Sequence, residues 1–139
     1  MRFTKATNYA LHTMLILVDA RPEKPVGVQQ LAEALGVSPT YLSKILTRLA
    51  KAGMIESASG AGGGYRLSRR HDDLSLLDVI QATEGTASLF ECGFVHGDDC
   101  VIQAAMKDAE ATMERQLKNT RLADLARQQS VRQRWTLPD

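Results

Sequence analysis

Between Gln29 and Leu67 the sequence sets out, without a break, a helix, a tight turn, a second helix and a glycine-rich hairpin. The second helix constrains the fold most. Ser38-Pro39 marks its start: a side chain able to cap an orphan N–H, then a proline at the first helical position, where its missing N–H costs nothing. Gly53 marks its end, where a left-handed residue commonly stops a helix. Between them Leu42, Ile45, Leu46 and Leu49 fall at the i, i+3, i+4, i+7 spacing of a buried stripe. At ~100° per residue, Thr40, Lys44, Thr47 and Lys51 form a second stripe roughly opposite, flanked by Ser43 and Arg48. An ordinary solvated helix mixes Glu with Lys; this face carries hydroxyls and cations and no acid. Such a face suits insertion into a DNA groove.

Met54–Ala58 and Tyr65–Ser68 read as two short strands joined by Ser59-Gly60-Ala61-Gly62-Gly63-Gly64, a wing beside the helix pair. The glycines do not make a nucleotide-binding loop. A phosphate loop opens a helix with Lys-Ser/Thr, whereas Tyr-Arg-Leu-Ser follows here, and the spacing puts Tyr65 at the last glycine of G-x-G-x-x-G. They are expected to let a hairpin tip approach a DNA backbone closely.

Around this cassette the pattern is helical. A first helix, about Thr4–Ala20, places Phe3, Ala6, Ala10, Met14, Leu17 and Val18 on one side, and Arg21-Pro22-Glu23-Lys24-Pro25 breaks it. Ser75-Leu76-Leu77-Asp78 matches a capping box and opens a helix to about Thr83, ended by Gly85. A loop of about 86–99 leads to a long helix, Cys100–Lys118, with Ile102, Ala105, Met106, Ala109, Met113 and Leu117 on one face. Asn119-Thr120 is expected to cap a closing helix, Arg121–Arg127. Six apolar positions exceed what the wing can cover, so packing against the same helix of a second chain, as a homodimer, is expected. The expected fold is mainly α with a small β wing. Residues 1–85 would form a winged helix-turn-helix, 86–101 a sensor loop, 102–130 the dimerisation and closing helices, and 131–139 a mobile tail containing Trp135.

A net charge of +1 would by itself argue against a nucleic-acid partner. Divided at residue 70, however, the chain has ten basic and four acidic residues in its first part and seven and twelve in its second. That asymmetry fits a DNA-facing module joined to one with another task. Arg2 and Lys5 precede an apolar run at Met14–Val18, but Asn8 and His12 interrupt it and no small-x-small cleavage site follows. No stretch approaches the ~20 apolar residues of a membrane span. A cytoplasmic location with no membrane partner is expected, where two cysteines are free thiols, ligands or redox sensors rather than a structural disulfide.

Five motifs give the chain a resemblance. They are M-R-x-T-x-x-x-x-Y-A at the start, L-x-x-x-x-G-V-S-P-T-Y-L-x-K-I-L-x-R-L, the wing G-x-G-G-G-Y-x-L, L-L-D-V-I-x-A-x-E-G, and T-x-L-A-D-L. Over residues 1 to about 126 the sequence resembles the IscR/NsrR-like family of bacterial winged-helix transcriptional regulators. The resemblance implies a dimeric regulator, expected to be a repressor, reading a near-palindromic operator in double-stranded DNA. The contact set would be Arg2, Lys5, Ser38, Pro39, Thr40, Tyr41, Ser43, Lys44, Thr47, Arg48 and Lys51, with Gly62, Gly63, Gly64 and Arg66 of the wing. It also implies a sensor, often an iron–sulfur cluster, in the loop from Thr86 to Cys100.

The sensor departs from the family pattern. Well-known cluster-binding members carry three cysteines here; Cys92 and Cys100 match the first and last, the middle one is missing, and Gln103 stands where a histidine sometimes follows. A three-cysteine site within one chain is ruled out. One branch of the family completes a two-iron cluster with a histidine and an acid from the partner's first helix. His12 occupies the histidine position and Asn8 the acid position. By periodicity His12 shares a stripe with Lys5 and Asn8, away from the core, and His96 is a spare candidate ligand. Cysteine and imidazole together suit a cluster of mixed ligation, with the two-iron type favoured.

The alternative is a pair of plain redox thiols. Glu91, Asp98 and Asp99 are expected to disfavour the thiolate, which weighs against high reactivity. A third reading leaves both cysteines inert and the loop without a sensing role, or has His12 merely touching a DNA phosphate. His71, after Arg69-Arg70, is expected at the surface. Catalysis is not expected. Cys with His can form a nucleophile–base pair, but no orienting acid or amide has recognisable spacing. A winged helix used only for protein contact fits poorly with the acid-free face.

Overall fold

The computed structural model describes residues 1–20, 24–68, 73–94 and 100–128. The break at 21–23, Arg69, Arg70, His71, His96, Asp98, Asp99 and the segment 131–139 with Trp135 lie outside the described residues. Among the described residues eight elements follow in order: α1 Lys5–Ala20, α2 Val28–Leu35, α3 Pro39–Lys51, β1 Ile55–Ala58, β2 Gly64–Leu67, α4 Leu76–Glu84, α5 Val101–Asn119 and α6 Leu122–Ala126. Helices joined to one two-stranded antiparallel wing match the expected class.

The other elements gather around α1, which packs against α2, α3, α4, α6 and β2. Ala10, Met14, Ile16 and Leu17 of α1 meet Leu31, Leu42, Leu46, Leu49, Val79 and Leu122 in one aliphatic cluster. A helix touched on so many sides buries more than one stripe, so Thr7 and Thr13 are buried too. Phe3 does not join the stripe expected of it. It precedes the helix and is 58% exposed, while Met1 is buried with Leu77 and Ile80.

The helix pair forms for the local reasons read from its sequence. Gly36 takes a left-handed conformation and ends α2. Ser38 Oγ accepts the Tyr41 N–H at 3.1 Å, a cap worth ~1 kcal/mol, with Pro39 at the first turn. Ala52 is the C-cap of α3, and Gly53 follows at φ +77°, where a side chain would be strained. In the wing Ile55, Glu56, Ser57 and Ala58 pair with Leu67, Arg66, Tyr65 and Gly64. Val26 exchanges two 2.8 Å backbone bonds with Tyr65, pinning the wing to the chain before α2. Gly64 lies against that pairing at φ +153°, and a Cβ there would run into the Val26 carbonyl.

At α4 the capping box is complete: Ser75 Oγ accepts from Asp78 N at 3.1 Å and Asp78 Oδ2 from Ser75 N at 2.9 Å. Cys100 is the N-cap of α5. Asn119-Thr120 does not cap α6 as expected. Thr120 closes α5, and Arg121 is the N-cap of α6 without a side-chain cap bond, its guanidinium pairing with Asp73 instead. The junction is held by backbone instead, with Leu76 N on Thr120 O at 3.0 Å and Leu122 N on Leu74 O at 2.9 Å. The apolar face of α5 divides in two. Met113 and Leu117 pack on the cluster of Met1, Leu77 and Ile80, while Ile102, Ala105, Met106 and Ala109 face outward in the single chain.

Candidate nucleic-acid interface and sensor loop

Burying Leu42, Ile45, Leu46 and Leu49 turns the opposite side of α3 outward, and Thr40, Lys44, Thr47 and Lys51 are all exposed there. Ser43 is half-buried, and its carbonyl accepts the Thr47 hydroxyl at 2.8 Å, leaving the Thr47 methyl as an apolar contact point. Ser38 and Pro39 are exposed at the start of the helix, while the Ser38 hydroxyl is engaged in the cap. Tyr41 stacks edge-on against Tyr9 of α1, ring centroids 5.8 Å apart, which fixes its ring at the margin of this face. Arg2 and Lys5 are exposed at the start of α1.

Two cations of the expected set are engaged within the chain. Arg66 Nε donates to Glu56 Oε1 at 2.9 Å across the wing, a solvent-facing pair worth little. Arg48 Nη1 donates to the Thr83 carbonyl at 3.3 Å, completing the C-terminal end of α4 where a cation is favoured. Glu84 accepts the hydroxyls of Thr4 and Thr7. Burial pushes the Glu84 carboxyl up, but those two hydroxyls, then Arg2 and Arg48, outweigh it and hold it below the usual carboxylate range. At the wing tip Gly62 is exposed, and Gly63 and Gly64 are half-buried. A Cβ on Gly62 would meet open space, whereas one on Gly63 would strike the Ala58 carbonyl.

In its described part, the loop after α4 is fastened to α5 by two side chains. Glu110, buried, accepts the Leu89 N–H at 3.0 and 3.2 Å and lies 3.6 Å from the Met1 ammonium, which itself donates to Ala87 O. Gln103 Oε1 accepts the Cys92 N–H at 2.9 Å, and the Gln103 N–H points at Cys100 Sγ, 3.5 Å away. Both cysteines are free thiols and half-buried. The Gln103 N–H, then the Cys92 thiol, then the Ile102 N–H pull the Cys100 thiol below the usual thiol range against a smaller opposing effect of burial. The N–H groups at the start of a helix thus favour the thiolate of this cysteine, while Asp98 and Asp99, expected to oppose it, lie outside the described residues.

His12 is half-buried, with Nδ1 2.8 Å from the Asn8 carbonyl. A carbonyl only accepts, so Nδ1 carries the proton in this contact. Among the described residues no three His, Cys, Asp or Glu side chains of one chain come together as metal ligands. Sequence reasoning assigned no role to Glu84 or Glu110 and noted Gln103 only as a departure. Glu110 had a signal: it falls four residues after Met106 and three before Met113, an acid at the edge of an apolar stripe.

A helix pair with an exposed hydroxyl-and-cation face, a wing beside it and a thiol loop on a separate helix define a DNA-binding transcriptional regulator rather than an enzyme. Residues 3–128 match the model of a family described as "Rrf2: Iron-dependent Transcriptional regulator". The chain belongs to the Rrf2 family. It is 40% identical over 116 residues to "Protein aau3" of Rhizobium meliloti, covering 78% of this chain and 74% of that one. It is 35% identical over 131 residues to the HTH-type transcriptional regulator NsrR of Geobacillus kaustophilus, covering 90% and 89%. Among solved structures, CymR, the global cysteine regulator of Bacillus subtilis, superposes with a TM-score of 0.75 at 26% identity, covering 91% of this chain and 96% of that one. None of the described helices is long and apolar enough to cross a membrane.

Proposed function

We propose that this regulator is a cytoplasmic repressor that binds a near-palindromic operator as a two-fold dimer, and that the Cys92–Cys100 pair sets its affinity. Residues 1–85 would read DNA, 86–101 sense, and 102–130 dimerise. The observation that carries the sensor half is the Cys100 thiol at the start of α5, beside Cys92 and under the Gln103 N–H. A peroxide is the matching oxidant. Attack by the Cys100 thiolate breaks the O–O bond, giving a sulfenic acid and releasing water or an alcohol. The Cys92 thiol then displaces the sulfenic oxygen as water and closes a disulfide, so two thiols give up two electrons to one peroxide. Closure would draw the loop and the first turn of α5 together and disturb the Gln103 clamp.

A lowered pKa means more thiolate at neutral pH, and a thiolate fraction lost only as pH falls below the lowered value. Alkylation of Cys100 should therefore hold its rate to lower pH than an ordinary thiol, and Cys92→Ala should shift that profile upward. Peroxide should form a Cys92–Cys100 disulfide, detected by mass spectrometry, and change affinity for duplex DNA several-fold. A Cys100 profile matching that of the unfolded protein would sink the thiol reading.

The adjacent thiols also favour a second reading. They supply two soft donors, and a two-iron cluster needs four, so the described residues of one chain do not hold a full set. His12 of a second chain could contribute, its ring oriented through Nδ1 as metal-bound histidines commonly are. When bound, such a cluster would supply one-electron redox chemistry; Asn8, an amide in place of an acid, leaves the fourth donor unassigned. Anaerobic purification of wild type, Cys92→Ala, Cys100→Ala and His12→Ala, with absorption spectra and iron and sulfide analysis, separates the readings. A colourless, iron-free wild type after reconstitution removes the cluster. An unaltered spectrum in His12→Ala removes only the histidine.

A further inference from the structure

Gln103 holds both cysteines, each by a different part of itself. Its backbone N–H donates to Cys100 Sγ at 3.5 Å, and its side-chain Oε1 accepts the Cys92 N–H at 2.9 Å. The first bond belongs to the turn that starts α5, where Cys100 is the N-cap. The second reaches out of the helix to the loop after α4. Another side chain of α5 pins the same stretch: Glu110, buried, accepts the Leu89 N–H at 3.0 Å. Gln103 and Glu110 stand seven positions apart, a rise of about 10 Å along the helix. The loop covers that distance in three steps, Leu89 to Cys92, and an extended chain advances about 3.4 Å per step. Phe90 and Glu91, between the pins, form no turn. The stretch is drawn out along α5, running opposite to it, and delivers Cys92 to the turn that carries Cys100. Seven residues separate the two cysteines in sequence, so connectivity alone does not hold them together.

We propose that Gln103 is the positioning residue of the thiol pair: its side-chain amide holds Cys92 at the first turn of α5, ready to resolve a sulfenic acid on Cys100. The inference rests on the thiol reading above. That reading has two chemical steps, and Gln103 serves them separately. In the first, the Cys100 sulfur attacks a peroxide, the O–O bond breaks, and a sulfenic acid forms with release of water or an alcohol. In the second, the Cys92 sulfur attacks the sulfenic sulfur, the S–O bond breaks, and the hydroxyl leaves with the Cys92 proton as water. The first step involves Cys100 and a backbone N–H, which any residue but proline supplies at position 103. The second needs Cys92 in place, and that placement belongs to the side chain. Holding a reacting group where it must react replaces a search by the loop with a short approach.

The test follows both steps in the full chain. Wild type, Gln103→Leu and Gln103→Glu are treated with hydrogen peroxide in a fixed excess of dimedone, which traps sulfenic acid. Mass spectrometry of digests then gives the Cys92–Cys100 disulfide and the Cys100 adduct. Total product against time reports the first step, and the ratio of disulfide to adduct reports the second. Leucine keeps the helix-forming tendency and removes the oxygen acceptor. In Gln103→Leu the first step should run at the wild-type rate while closure slows about fivefold, the loss expected for one ordinary hydrogen bond. Gln103→Glu keeps an oxygen for the Cys92 N–H and should restore the wild-type ratio. An unchanged ratio in Gln103→Leu overturns the proposal and leaves the thiol reading standing. Both steps slowed alike also overturn it, since the substitution would then have disturbed the start of α5 as a whole. So does a Gln103→Glu ratio no higher than that of Gln103→Leu. A wild type that never forms the disulfide removes the thiol reading and this proposal together. Should Gln103→Leu fold poorly, Gln103→Ala carries the same comparison.

Discussion

Lys44 stands at the centre of the outward face of α3, exposed and one turn from Thr40 and from Thr47. Among the described residues nothing competes for it as Thr83 does for Arg48 or Glu56 for Arg66. If its ammonium reads a base edge, Lys44→Ala costs ~1–3 kcal/mol on operator DNA and less on unrelated duplex. Equal losses on both would make it a phosphate contact. The polar face was legible because leucine and isoleucine spacing fixes which way a helix turns. Which cations on that face are already occupied was not legible, since Arg48 meets residue 83 and Arg66 meets Glu56 through the tertiary fold.

Among the elements, α5 shows how far periodicity carries. Its six-position stripe was readable, but the stripe serves two partners. Met113 and Leu117 belong to the chain's own small cluster with Leu77 and Ile80, and the outward positions are Ile102 and Met106, 61% and 44% exposed. A spacing pattern says that a face is apolar and cannot say which neighbour covers it. The proposed dimer seam is therefore probed at Ile102→Asp with Met106→Asp, which spares the internal contacts. Buried unpaired charge is strongly unfavourable, so sedimentation should show monomers with an unchanged helical spectrum. Intact dimers would move the seam elsewhere. The caps were legible where a side chain makes them, as at Ser38 and Ser75, and misread at α6, where backbone pairing to Leu74 does the work.

Across the whole molecule, the converging role of α1 leaves one mark of compromise. The Thr13 hydroxyl is fully buried without a hydrogen-bond partner. Thr13→Val keeps the shape and removes the unpaired group, so it should stabilise the fold by about 1 kcal/mol and raise Tm by a few degrees. A lower Tm would mean that the hydroxyl is needed. The sensor loop was the least legible part. Cys92 and Cys100 stood out at once, but the clamp that arranges them depends on Gln103 and Glu110, ordinary helix residues whose role appears only when the loop is laid across α5.

The 19-residue α5 is about 28 Å long and is held unequally at its two ends. Its C-terminal end is stitched by backbone to the strand-like entry of α4 and, through Leu122, to the core; its first turns carry exposed Val101 and Ile102. Such a rod pivots about its fixed end. A tilt of only ~5° there sweeps the far tip through roughly 2.5 Å over that length. In a symmetric pair of such rods, a small chemical change at the tips becomes a change in the spacing of two reading heads.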